Sequence, residues 1–287
     1  MRLPFLVLTP ACVVLGLGTA VWTSGNVSAL HFAIALAGAV AAHVSVNAFN
    51  EYFDFTSGLD FKTRRTPFSG GSGTLPERPE LVRGGLMTAV VALAIVFAAG
   101  TYFFLIRGWA LLPLGALGVF VVLAYTPWIT RFPLFCLLAP GVGFGTLMVM
   151  GTDFVLTGTY TWNAFVASCV PFFLVNDLLL LNQFPDVEAD KSVGRRHLPI
   201  IIGVRASSVV YAAFLAMAYA SIIAGVILHL LPAWSLLGLA TLALAIPAAI
   251  GARRHADNIP KLVPFMVMNV VINILTPALV AVGLFLG

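Results

Sequence analysis

Two short stretches hold most of the residues able to do chemistry. Residues 50–60 read NEYFDFTSGLD and residues 182–190 read NQFPDVEAD, each at the end of an apolar run. Around the first, His43, Asn47, Asn50, Glu51 and Asp54 follow at intervals of 4, 3, 1 and 3. At 3.6 residues per turn they make one polar stripe on a helix. Asp60 lies beyond Gly58, where the chain can turn back. In the second, Asn182, Asp186 and Asp190 are spaced by four and share a face, and Pro185 is placed to kink the helix or begin a new turn. Polar side chains of this kind inside an apolar bundle face its interior or a water-filled cavity. The chain thus uses one device twice: an apolar helix, an Asn, an Asp one turn on, a further Asp, and then a basic loop.

Facing sets of carboxylate and amide oxygens suit a hard cation such as Mg²⁺, which usually keeps few protein carboxylates and completes its shell with substrate phosphates and water. Lys62, Arg64 and Arg65 follow the first motif, and Lys191, Arg195 and Arg196 the second, where they could hold the remaining phosphate charge. The GGSG at 70–73 could offer backbone N–H groups to an anion. Together these describe a diphosphate site at the mouth of a lipid-embedded cavity, fit for a diphosphate with an apolar tail. There is a plainer account. Acids at helix ends can be interfacial, bases can be topology signals, GGSG can be a turn, and His43 can be a packed, hydrogen-bonding residue. Recurrence of the whole device at matching positions in two halves favours the chemical account.

The elements that must position these residues are membrane helices. Of 287 residues, 60% are hydrophobic and 9% charged, against about 25% charged in a soluble domain. The mean hydropathy is +1.03. A bilayer span needs about 20 apolar residues. Nine stretches qualify, at about 4–22, 29–52, 85–105, 110–126, 134–151, 163–184, 206–229, 233–251 and 262–286. Irregular backbone is not tolerated against lipid, so the expected fold class is all-α, a nine-helix membrane bundle forming one domain over 1–287. The first stretch follows a lone Arg2 and is long for a signal peptide, so it reads as a retained helix.

On this layout every Lys and Arg except Arg107 falls on one side. The positive-inside rule makes that side cytoplasmic, with the N-terminus inside and the C-terminus out. The net charge of +4 therefore reports topology, and no nucleic-acid partner is expected. The acids cluster on the same side, except Asp153, expected outside, and Asp177, within the sixth span. Asp177 is about 140° round the helix from Asn182, and either supports the site from behind or makes a helix–helix contact. The loops at about 53–84 and 185–205 hold most of the charge and are long enough to be functional. Cys12, Cys136 and Cys169 sit in apolar runs without metal or redox spacing.

At these residues the chain resembles the UbiA superfamily of intramembrane prenyltransferases, whose two Asp-rich motifs NEYFDFTSGLD and NQFPDVEAD are similar to. The five residues between Asp54 and Asp60, with Gly58 among them, look like the menaquinone branch. PFSGGSG, Tyr125-Thr126-Pro127, FGTLMVMGT and GRRHLPIIIG extend the likeness over nearly the whole chain. It departs from the usual pattern at Glu51, where Asp is common, and at Asn182-Gln183 and Pro185, where Asn-Asn and Arg are more common. The resemblance implies nine helices and a central cavity capped by cytoplasmic loops. It implies Mg²⁺ on a prenyl diphosphate, held by Asn50, Asp54, Asp60, Asp186 and Asp190 together with Asn182. Asn47, Lys62, Arg64, Arg65, Tyr125, Lys191 and Arg195 become candidate substrate contacts. The expected acceptor is an aromatic molecule in the membrane, 1,4-dihydroxy-2-naphthoate in menaquinone biosynthesis, at a plasma (inner) membrane. Another quinone head group, a tetrapyrrole or glycerol phosphate are alternative acceptors. An ion-coupled transporter is the rival from another class.

Overall fold

The computed structural model describes residues 3–63 and 65–287. Among them the regular structure is helical throughout. Nine long helices follow in order: α1 (Leu8–Ser24), α2 (Ala29–Thr56), α3 (Val82–Arg107), α4 (Leu112–Ala124), α5 (Pro133–Thr157), α6 (Trp162–Asn182), α7 (Val204–Ile227), α8 (Ala233–Arg254) and α9 (Ile259–Leu286). Side chains cap several starts. Ser28 accepts from His31 N–H, Thr161 from Ala164 N–H and Asn258 from Lys261 N–H.

By length and composition alone, eight stretches can cross a membrane, because Pro79–Ala124 is one apolar run of 46 residues. A straight helix of that length would reach about 70 Å, more than twice the hydrocarbon thickness. The chain folds back instead. Gly108 takes φ 72° and ψ −158°, which a side chain disfavours, and a 3-10 turn follows it. Packing confirms the hairpin. Ala89 near the start of α3 and Val122 near the end of α4 share a cluster with Ala48 and Phe49 of α2, while Phe103 and Leu111 share another with Ala20 and Phe154.

The core proper lies on one side of α6. There Leu15, Leu174, Tyr211, Ile222, Ile272 and Leu284 join α1, α6, α7 and α9. On the other side of α6, α2 to α5 stand around an open interior. Pro140 interrupts α5, and a nine-residue π-helical stretch, Val142–Met150, follows it. The outer faces expose apolar side chains, such as Met87, Val91 and Ile95 of α3, as a surface suited to lipid does. Exposed Trp109, Tyr160, Trp162 and Trp234 mark one interface and Trp128 the other, as amphipathic rings do.

One residue departs from the reading above, and another finds its local reason. Asp153, expected in an outer loop, is fully buried inside α5, because that helix runs to Thr157; Thr161 Oγ1 donates to its Oδ2 at 3.1 Å. Arg107, the lone base on its side, donates from Nε to Val155 O at 2.9 Å and from Nη2 to Leu156 O at 2.7 Å. It caps the last carbonyls of α5, a local role that opposes no topology rule.

Candidate active site

A cavity of about 470 Å³ runs between α2, α3, α4, α5 and α6. Its deep walls are apolar, with Ile34, Phe103, Leu111, Leu114 and Val155, and its mouth carries both acidic motifs. Asn47, Asn50, Asp54, Asp60, Tyr125, Asn182, Asp186, Asp190 and Arg195 all line it. Residues more than 120 positions apart in sequence therefore share one space.

Asp54 ends the stripe on α2, which continues to Thr56 and so carries this carboxylate on its last turn. The 3-10 turn Leu59–Phe61 then directs Asp60 inward, 8% exposed. Asp186 precedes the short helix Val187–Ser192, which carries Asp190 inward, 4% exposed. Arg195 joins the two motifs. It ion-pairs with Asp54, and its Nη1 donates to Asp190 Oδ1 at 2.9 Å. The other Asp190 oxygen is 2.8 Å from His197 Nε2. Burial works against the Arg195 charge, yet Asp54 and Asp190 outweigh it and raise its pKa above the ordinary value.

The glycine-rich loop closes over the mouth and touches both motifs. Gly70 N–H donates to Asp186 Oδ2 at 3.1 Å. Gly71, at φ +69°, lies against Asp60, where a Cβ would come 2.7 Å from Oδ1. Only glycine fits that approach in that conformation. Within the loop, Thr66 and Ser69 hydroxyls pair at 2.8 Å. Burial, followed by the charge of Glu51, pushes Asp60 up to about 6, against the pull of Arg195 and Arg65. Burial also holds the Tyr125 hydroxyl well above its ordinary pKa, leaving a protonated donor at the wall. Asn50 Nδ2 donates to Thr126 Oγ1 at 3.1 Å, and Gln183 Nε2 to Cys136 Sγ at 3.4 Å. His43 lines the cavity deeper in, bonded to Thr9 Oγ1 at 2.7 Å and edge-on to Phe144.

Three expected contacts are not brought to the cavity wall. Lys62 is exposed, because the turn that points Asp60 inward points its second neighbour outward. Lys191 is exposed one position after Asp190, about 100° round its helix. Arg65 pairs with Glu77 at 2.6 Å and donates to Gly73 O at 3.3 Å, bracing the loop from outside. Arg64 lies outside the described residues. Among the described residues, Arg195 is the only Lys or Arg in the cavity wall. Sequence reasoning gave no role to His197 or Thr126, although both lie in stretches that carry the resemblance. Each sits beside a residue it did single out, Arg195 with Arg196 and Tyr125, but only their contacts reveal a role.

The donor set fits Mg²⁺. The mouth offers oxygen from Asp, Glu and Asn, and Cys136, which also lines the cavity, accepts from Gln183 Nε2. Among the described residues no three His, Cys, Asp or Glu converge on one point. Mg²⁺ held by one or two carboxylates, with substrate phosphates and water completing its shell, requires no such convergence.

The sequence profile described as the UbiA prenyltransferase family matches residues 8–271. The 1,4-dihydroxy-2-naphthoate octaprenyltransferase of Bacillus subtilis (strain 168) is 29% identical over 199 residues, 67% of this chain and 61% of that protein. The chain thus spans less than two thirds of that relative. The protein of the same description from Mycobacterium tuberculosis (strain ATCC 25618 / H37Rv) is 28% identical over 263 residues, 89% of this chain and 85% of that one. The digeranylgeranylglyceryl phosphate synthase of Pyrococcus furiosus is 29% identical over 58% of this chain and 55% of its own length. The fold is that of the apo UbiA homolog from Aeropyrum pernix K1, with TM-score 0.77, 18% identity and coverage of 100% of this chain and 98% of that one. The UbiA homolog from Archaeoglobus fulgidus bound to DMAPP and Mg²⁺ has TM-score 0.60 and 15% identity, with 98% of both chains covered.

Proposed function

The chain belongs to the UbiA prenyltransferase family of integral membrane enzymes, and on that premise we propose that it transfers a prenyl chain from a polyprenyl diphosphate to 1,4-dihydroxy-2-naphthoate. The observation that carries this reading is one cavity with both acidic motifs at its mouth and an apolar interior behind them. That shape suits an amphiphile whose diphosphate stays at the interface and whose tail lies along the bundle. The acceptor follows the two relatives described as 1,4-dihydroxy-2-naphthoate octaprenyltransferases.

In this reading Asp60 and Asp186, with Asn50 and Asn182, would hold Mg²⁺. Asp54 and Asp190 would complete the carboxylate set, their counter-charge Arg195 being free to pair with a phosphate instead. Bound Mg²⁺ supplies Lewis-acid stabilisation of the charge that develops on the departing diphosphate. Arg195 adds charge-assisted hydrogen bonds to the same oxygens. His197 keeps Asp190 oriented while Arg195 changes partner. The allylic C–O bond breaks with its electron pair leaving on diphosphate. The apolar walls keep water from the allylic cation until the carboxylate-bearing carbon of the electron-rich ring attacks it. The ring carboxylate then leaves as CO₂, which restores aromaticity. Tyr125, a protonated donor, orients a ring oxygen. The basic side carries the site, so the reaction faces the cytoplasm at the plasma membrane.

Purified protein with Mg²⁺ and geranylgeranyl diphosphate, with and without 1,4-dihydroxy-2-naphthoate, tests this by mass spectrometry of the lipid extract. A prenylated, decarboxylated naphthoquinol is the expected product. Diphosphate release without it, with product only from glycerol phosphate acceptors, would replace the acceptor and keep the prenyl transfer. Neither product nor release over several prenyl lengths would overturn the reading.

A further inference from the structure

The polar stripe on α2 runs deeper than the acids. Asn47 lies two turns and His43 three turns in from Asp54, which for His43 is about 16 Å along the helix. Beyond His43 the cavity face of α2 is apolar, with Ala42, Ala39, Gly38, Ala35 and Ile34. His43 is 5% exposed and held from two sides. Its Nδ1 is 2.7 Å from Thr9 Oγ1 of α1, and its ring stands edge-on to Phe144 of α5 with centroids 4.7 Å apart. Its Nε2 has no hydrogen-bond partner among the described residues and opens on the cavity, and the Asn47 amide one turn away does the same.

The opposite wall at this depth is apolar. Ser45 Oγ donates to Ala89 O at 2.9 Å, and a Cβ on Gly38 would lie 3.1 Å from Ala99 Cβ. The part of α3 that faces His43 therefore lies between Ala89 and Ala99, and its cavity residue is Val96. On α4 and α5, Gly118 and Leu147 approach each other one turn from Phe144. A prenyl tail suits this side. Laid over α2 instead, it would leave Nε2 and the Asn47 amide unpaired in a closed apolar space, which is costly. The middle of the cavity thus has one wall for a tail and one for a polar guest.

The imidazole says what kind of guest. In a neutral ring one nitrogen donates and the other accepts, and the Thr9 hydroxyl can pair with Nδ1 in either role. A hydroxyl on the guest likewise serves Nε2 in either tautomer, whereas a carboxylate or an ether serves only one of them. We propose that His43 and Asn47 bind the acceptor ring through the hydroxyl remote from its attacked carbon, with Thr9 as the positioning residue for His43. This rests on the prenyl-transfer reading. In that reading the diphosphate at the acids, the first carbon of its chain and the width of one ring occupy the interval between Asp54 and His43, leaving Tyr125 for the nearer ring oxygen.

Steady-state kinetics of the full chain in detergent test this, with Mg²⁺, geranylgeranyl diphosphate and 1,4-dihydroxy-2-naphthoate. As a competitor, 1-hydroxy-2-naphthoate lacks the remote hydroxyl. His43→Leu should raise KM for the dihydroxy acceptor about tenfold or more. KM for the diphosphate and the inhibition constant of the monohydroxy competitor should stay within about twofold of wild type. His43→Gln keeps a group that can donate and accept, and should hold KM for the acceptor within about threefold of wild type. Should His43→Leu fail to fold, Asn47→Leu serves in its place, with the same split between the two substrates. An unchanged acceptor KM, or an equal rise for acceptor, competitor and diphosphate, would overturn the site and leave prenyl transfer standing. No prenylated product from the wild type would instead overturn the reading beneath it, and the site with it.

Discussion

Arg195 and Asp54, 141 residues apart, form a buried ion pair that ties the second acidic motif to the first. The same guanidinium holds Asp190, so one cation neutralises a carboxylate from each motif. It ties the two motifs together across the mouth of the cavity, as the one Lys or Arg in the wall among the described residues.

Arg195→Ala leaves Asp54 and Asp190 buried without their shared counter-charge. Removing one partner of a buried pair costs about 3–5 kcal/mol. The expected outcome is a lowered unfolding midpoint that Mg²⁺ partly restores, together with loss of turnover. A variant with the wild-type midpoint in metal-free buffer would show that the bridge contributes nothing to the fold.

Asp186→Ala removes the acceptor for Gly70 N–H and one proposed Mg²⁺ ligand. Turnover should fall by at least about a hundredfold. Asp54→Ala should do the same while remaining folded, because Arg195 keeps Asp190 as a partner. Near-normal activity in either purified variant would remove that residue from the metal assignment.

Asp60 makes the mouth sensitive to pH. Its pKa is raised from the ordinary value to about 6, chiefly by burial. For an acid this sign means that its contribution to stability is present at low pH and is lost as pH rises from about 4 through about 6. Metal binding needs the ionised form, so the two effects oppose. The Mg²⁺ concentration for half-maximal activity should climb as pH falls below about 6, by up to tenfold per unit. Asp60→Asn should lose this dependence along with activity, and be no less stable than the wild type at pH 7. A Mg²⁺ requirement flat between pH 5 and 7 would assign the metal to other carboxylates.

Gly115 lines the cavity, and a Cβ there would meet nothing within 4 Å. No packing contact explains a glycine that costs a helix about 1 kcal/mol relative to alanine. Gly115→Leu should therefore leave the fold intact and lower turnover with long polyprenyl diphosphates more than with dimethylallyl diphosphate. Equal loss for all chain lengths, measured side by side, would place the tail elsewhere.

Hydropathy and charge made the membrane-spanning class, the nine helices and their charge asymmetry legible from the chain alone, because bilayer thickness and the placement of Lys and Arg act locally along a sequence. Spacing at 3.6 residues per turn likewise disclosed the stripe from Asn47 to Asp54 and the face shared by Asn182, Asp186 and Asp190. Which bases serve the site was decided by tertiary structure. Lys62, Arg65 and Lys191 are as close in sequence to the motifs as Arg195, yet turn and helix geometry send them outward and bring Arg195 in. The same holds for His197 on Asp190, for Gly70 and Gly71 against opposite motifs, and for Asn269 reaching the Asp177 main-chain oxygen. Each is a contact between segments far apart or turned by a loop, and such contacts depend on how helices pack rather than on any local pattern of residues.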